Sequence, residues 1–292
     1  MNNQSNKVPA SSGAQWILDG FAAFRAAPGP YLLVAGTYAA GVLVATLLMK
    51  GSPVFGMLVL LVLTLMQPIF VAALVLGAHE ADAGQRPGMD LLPRVHATGK
   101  MSQLLLTLLP QITAGLISGF LLYFMVGSQN LSHTIEVLEA IQNNPQAQTE
   151  LMKELPLAEF GRWALLSLVL GLIAAMFTFL AIPQILFNGR RSMDAMRDSF
   201  RGVTGNLTAV ILGFIFFVIT VLAILVAFMI VSGLISVVAG RGAADLIGSF
   251  LQILVLLPLQ GLITYAAWKS IFGNASNTPA IDSARSSNQF EA

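Results

Sequence analysis

Residues 207–239 run for 33 positions without one charged side chain. About 20 apolar residues, rising about 1.5 Å each, already cross a hydrocarbon core of about 30 Å. A run of this length therefore places the chain in a bilayer. At roughly 50 Å it is longer than the core requires, so it is expected to tilt strongly, protrude or break, with Ser232-Gly233 the expected break. Five more apolar runs fall at 31–49, 54–78, 101–126, 163–187 and 246–272. Composition agrees: 56% of the residues are hydrophobic and 10% charged, against about 25% charged in soluble domains. The expected fold is an all-α membrane protein with six transmembrane helices, filling residues 12–272.

The segments between the runs differ in character. Residues 1–11 are polar and aperiodic, do not resemble a cleaved leader, and are expected to be disordered. Ser12 with Gln15 three residues on resembles a capping box. A short helix should follow over 13–27, with Ile17, Phe21 and Phe24 on one face and Trp16 beside them, lying in the headgroup layer until Pro28-Gly29-Pro30 ends it. Residues 79–100 are a charged connection. Residues 127–160 are acidic, with one short helix around Ile135, Leu138 and Ile141 and a second starting at Asn144-Pro145. Residues 188–206 are basic, and Met193, Met196, Phe200 and Val203 make an apolar stripe at helical spacing. The tail, 273–292, is polar and expected to be disordered.

Charge fixes the expected topology. Six spans put the N-terminus, 79–100, 188–206 and the C-terminus on one face. Eleven of the fifteen Lys and Arg residues then share that face, and only Lys50, Lys153, Arg162 and Arg241 lie opposite. The positive-inside rule puts both termini in the cytoplasm and the 127–160 loop outside.

The chain also reads as three pseudo-repeats, each an amphipathic helix plus a membrane hairpin. FRAAPGPYLL (24–33) aligns with FRGVTGNLTA (200–209), and RVHATGKMSQ (94–103) shares its Thr-Gly pair with the latter. Each second span carries a proline: Pro68, Pro183, Pro258. An amphipathic start, WILDGFAAFRAAPGPYLL, followed by hairpins re-entered through SMDAMRDSFRGVTGN, resembles a group of uncharacterised bacterial polytopic inner-membrane proteins. These include the YciC-type proteins and the membrane domain of some glycerophosphodiester phosphodiesterases. The resemblance is architectural. It implies a bacterial inner-membrane location and no agreed activity, and the chain contains no phosphodiesterase catalytic domain.

Candidate sites are few. Glutamine recurs beside proline within the apolar runs, at Gln67, Gln111, Gln184 and Gln260. A proline frees a backbone carbonyl that lipid cannot satisfy, and an amide can repair it; alternatively the four amides could line a polar cavity. Arg190, Arg191, Arg197 and Arg201 form a cluster suited to anionic lipid, or simply to setting topology. His79, Glu80, Asp82 and His96 read as a solvated membrane edge, since adjacent His and Glu point about 100° apart on a helix and chelate poorly. Gly115-xxx-Gly119 could bring two helices close. No ionisable residue lies deep in any run, which argues against an ion-coupled pump. There is no cysteine, and no metal, cofactor or nucleic-acid motif. The expected function is non-enzymatic, a scaffold or accessory protein binding membrane lipids or a membrane-protein partner. The alternative is a transporter or facilitator for a lipid or small neutral solute through the Gln/Pro-lined cavity.

Overall fold

The computed structural model describes residues 5–273, and every regular element among them is helical. In order these are α1 Ser12–Ala26, α2 Pro28–Gly51, α3 Pro53–Asp82, α4 Leu91–Ala97, α5 Met101–Leu106, α6 Leu109–Val126 and α7 Ser128–Asn143. They continue with α8 Gln148–Leu151, α9 Leu157–Thr178, α10 Ala181–Asn188, α11 Ser192–Gly205, α12 Leu207–Ala239 and α13 Arg241–Phe272. Six stretches are long and apolar enough to cross a membrane: Pro28–Gly51, Pro53–Asp82, Met101–Val126, Leu157–Asn188, Leu207–Ala239 and Arg241–Phe272. Their flanks expose Leu, Val, Ile and Phe along most of their length, the surface of a multi-pass membrane protein.

The long uncharged run is one unbroken helix, so the break expected at Ser232-Gly233 does not occur. The Ser236 hydroxyl instead donates to the Gly233 carbonyl at 2.7 Å within the helix. A break there would free backbone groups that lipid cannot satisfy. The extra length is absorbed at the other end. Ala209 and Gly213 are the buried residues of α12, and α1 packs against it there. From Gly213 to Ala239 the helix is roughly 40 Å long, close to a bilayer with its headgroups.

The chain forms two compact units. The first runs to Thr107 and resumes at Phe179; the second is Leu108–Thr178. In the first, α2 pairs with α3 and α12 with α13, and α1 lies across α12 and α13. Helices α4 and α5 pack on α3, α10 touches both α3 and α13, and α11 packs on α10.

Proline marks where this unit becomes buried. In α3 burial is nearly continuous from Pro68 to Glu80, and in α13 it dominates from Leu257 to Phe272. Both helices pass through their prolines without interruption. Pro183 behaves differently, because α9 ends at Thr178 and Pro183 sits in the first turn of α10. There its missing N–H costs nothing. The Leu180 N–H freed by the interruption donates to the Ser199 hydroxyl of α11 at 3.0 Å.

Part of the N-terminal segment expected to be disordered is pinned. The Asn6 N–H donates to the Ile271 carbonyl at 2.8 Å, in the last turn of α13. The Asn206 side chain, between α11 and α12, accepts from the Val8 N–H at 2.8 Å and donates to the Asn6 carbonyl at 2.9 Å and the Gly202 carbonyl at 3.0 Å. Asn206→Ala removes all three bonds, each worth about 1 kcal/mol. Amide hydrogen exchange over residues 5–11 is then expected to accelerate about tenfold or more, with the α12 amides beyond Gly213 unchanged. The first four residues and the tail beyond Gly273, with the disorder expected for them, lie outside the described residues.

In the second unit α6 pairs with α9. The Ser118 and Ser167 hydroxyls are 2.6 Å apart, and the Trp163 indole N–H donates to the Ser118 carbonyl at 2.9 Å. Gly115 and Gly119 do not form this seam: both are exposed, with open space where a Cβ would project. Helix α7 spans the expected first helix of the loop. The second is present only as α8, four residues between short 3-10 turns.

Candidate functional site

Helices α3, α10 and α13 meet at their C-terminal ends, and the short helices bring the charges of the connecting segments against them. Glu80 of α3 is buried, at 7% exposure, which overturns its expected place on a solvated edge. Arg94 of α4 grips it with both terminal nitrogens, Nη1 at 3.0 Å from Oε2. Asp90 lies 3.8 Å from the same guanidinium. The hydrogen bond to Glu80 pushes the Arg94 pKa up from its already high value, so this arm stays charged.

A second network ties α3 to α13. Asp82 pairs with Lys269 and accepts a hydrogen bond from the Tyr265 hydroxyl at 3.1 Å. The Tyr265 oxygen also lies 3.2 Å from His79 Nδ1. A hydroxyl has one proton, and here it goes to Asp82, so His79 Nδ1 must be the donor in its own contact. The rings of His79, Phe187, Tyr265 and Trp268 pack against one another with neighbouring centroids 4.3–6.1 Å apart, within the contact range for aromatic pairs. One residue from α3, one from α10 and two from α13 thus fill the meeting point.

Helix α10 is closed at its C-terminus by two devices. Gly189 takes a left-handed conformation (φ 61°), and the Arg190 N–H reaches back six residues to the Gln184 carbonyl at 3.2 Å. Lys100 Nζ donates to the Ile185 and Leu186 carbonyls, each at 2.9 Å, placing a cation on the negative end of the helix.

The four arginines of the basic connection separate into two kinds. Arg190 turns inward, its Nε 2.9 Å from Oδ2 of buried Asp198, a charge contact rather than an aligned hydrogen bond. Arg191, Arg197 and Arg201 are exposed and form no ion pair among the described residues. The face of α11 that packs on the protein is also not the expected stripe. Met196 and Val203 are buried, but their companions are Ser192, Ala195, Asp198, Ser199 and Gly202, while Met193 is 58% exposed.

The four glutamines meet different surroundings. Gln184 is fully buried and accepts from the Asn188 amide at 2.6 Å. Gln67 is half-buried and Gln260 exposed. Gln111, in the second unit, is exposed and donates to the Thr178 hydroxyl at 2.6 Å. No cluster of three His, Asp or Glu able to hold a metal occurs among the described residues. No family model, curated protein or solved structure matches the chain.

Four residues that organise this end were not singled out in the sequence: Lys100, Asp198, Ser199 and Asn206. For Lys100 and Asn206 the available signal was position, since each is a polar residue directly before a predicted span, where orphaned backbone groups need partners; Asp198 and Ser199 lie mid-helix and offered no such signal.

Proposed function

We propose that this protein is a non-enzymatic accessory or scaffold protein of the bacterial inner membrane, with both termini cytoplasmic, binding membrane lipid or membrane-protein partners at its charged base. The observation that carries this reading is how the charges at that end are distributed. Glu80, Asp82, Asp90 and Asp198 are taken up by Arg94, Lys269 and Arg190. The cations left over, Lys7, Arg25, Arg86, Arg191, Arg197 and Arg201, are all exposed and outnumber the exposed acidic residues left over at that end, Asp19 and Asp194. The inner polar groups therefore serve cohesion, and the residual positive charge faces outward, as in proteins that work against anionic surfaces.

The packing order also supports the three-repeat reading. Each short helix sits on a helix of the hairpin before its own: α4 and α5 on α3, α11 on α10, and α1 on α12 and α13. Each second hairpin helix contributes to one aromatic centre. Within the first unit this ties α3, α10 and α13 together at their charged ends while leaving the lipid-facing lengths of α3 and α13 free for partners. Purification in mild detergent, followed by mass spectrometry of bound lipid and protein, is expected to recover anionic phospholipid or a specific membrane protein in stoichiometric amount. A preparation carrying neither, yet intact and monodisperse, would end this reading.

A further inference from the structure

Resting on that reading, we infer that the outward face of α11 seats the phosphodiester headgroup of an anionic phospholipid, with Arg197 and Arg201 as its two ligands. The buried face of α11 holds Ala195, Met196, Ser199, Gly202 and Val203 against the rest of its unit. At about 100° per residue, Met193, Arg197 and Arg201 fall together on the opposite side, at four-residue spacing. Side chains four apart on a helix are neighbours, roughly 5–6 Å between Cβ atoms. Two guanidinium groups at that separation can each donate to one of the two non-bridging oxygens of a phosphodiester.

Three further observations favour this occupant. The acidic groups of α11 do not neutralise the pair: one is engaged elsewhere, and Asp194, three residues before Arg197 and its neighbour on the helix surface, leaves both arginines unpaired among the described residues. Asp198 faces Arg190 at 2.9 Å. Asp194 lies in the first turn, where it complements the helix N-terminus, and makes no ion pair among the described residues. Met193, exposed and in line with the two arginines, offers apolar contact next to the headgroup position. Helix α11 directly precedes α12, which has no charge along its length, so α11 stands at the end of a helix long and apolar enough to cross a membrane rather than far from the bilayer. An acidic protein would satisfy the charge but not the position next to a span.

The test uses the full chain in mild detergent, titrated with phosphatidylglycerol or phosphatidylcholine and read by native mass spectrometry. Wild type is expected to bind phosphatidylglycerol about tenfold more tightly than phosphatidylcholine. R197Q/R201Q should lose that preference, R197K/R201K should keep part of it, and inorganic phosphate at equal charge should not displace the lipid. A melting temperature of R197Q/R201Q within about 2 °C of wild type would show that the exposed changes leave the fold intact. If R197Q/R201Q keeps the full preference, the seat is not on α11, although the lipid-binding reading survives. If wild type shows no preference at all, the lipid half of that reading fails with it. If the substitutions release a co-purified acidic protein while lipid binding persists, the occupant of this face is that protein and the inference is overturned.

Discussion

Replacing Gly13 with valine is expected to detach α1 from the rest of the protein. A Cβ on Gly13 would stand 2.2 Å from the Ala209 carbonyl oxygen and 2.4 Å from the Gly213 nitrogen, both backbone atoms of α12. Backbone cannot rotate aside as a side-chain tip can, so the helices must separate. Even alanine has to push them apart, at a cost of about 1–3 kcal/mol typical of overpacked sites, and valine adds two methyl groups at the same crossing. Separation would also withdraw Trp16, which is 2% exposed and donates its indole N–H to the Ser270 hydroxyl at 2.8 Å. The loss of an aromatic side chain from a buried site commonly costs 3–5 kcal/mol. Gly13→Ala should therefore lower the melting temperature by several degrees, and Gly13→Val should expose Trp16, seen as a red-shifted fluorescence component and proteolysis between α1 and α2. Gly13→Val with an unchanged melting temperature and unaltered fluorescence would show that the close crossing does not hold α1 in place.

That crossing also shows what could and could not be read in the sequence. The six membrane helices were legible because bilayer insertion depends on a property summed over about 20 residues, and no local detail can reverse it. The placement of α1 was not. Its Ile17, Phe21 and Phe24 suggested a helix lying in the headgroups, yet the structure buries Gly13, Trp16, Ile17 and Gly20 against α12 and α13. The residues that decide the docking are the smallest ones, which a hydrophobic pattern weights least. Gly13 and Gly20, seven apart, were the usable signal. Helix α11 repeats the lesson: its buried side is set by Ala195, Ser199 and Gly202, and the large Met193 points away. The partners of Asn206 and Ser199 were illegible for another reason. The role of these two side chains is to satisfy backbone groups nearly 200 residues away in one case and across a helix break in the other, and a sequence does not display which carbonyls and N–H groups the fold will orphan.

The second large effect is expected at Arg94. Arg94→Ala leaves the Glu80 carboxylate buried with its bidentate partner gone, and Glu80 has only 8% of its side chain exposed. Removing one member of a buried pair commonly costs 3–5 kcal/mol, because the remaining charge keeps its desolvation penalty without compensation. Arg94 is itself 40% exposed, so water can enter part of the space it vacates; a loss of about 3 kcal/mol, at the lower end of that range, is expected. The cause can be separated from simple loss of packing. If the penalty comes from the stranded charge, adding Glu80→Gln should recover most of the stability, since a neutral amide is far cheaper to bury than a carboxylate. Glu80→Gln alone should then be milder than Arg94→Ala, because the exposed guanidinium it leaves can turn to solvent or to Asp90, 3.8 Å away. Thermal unfolding of the three variants in one detergent measures the coupling directly. Additive losses in the double variant would mean that α4 is held to α3 by Leu91 and Val95, both fully buried, and that the ion pair at the centre of the base contributes little to holding it together.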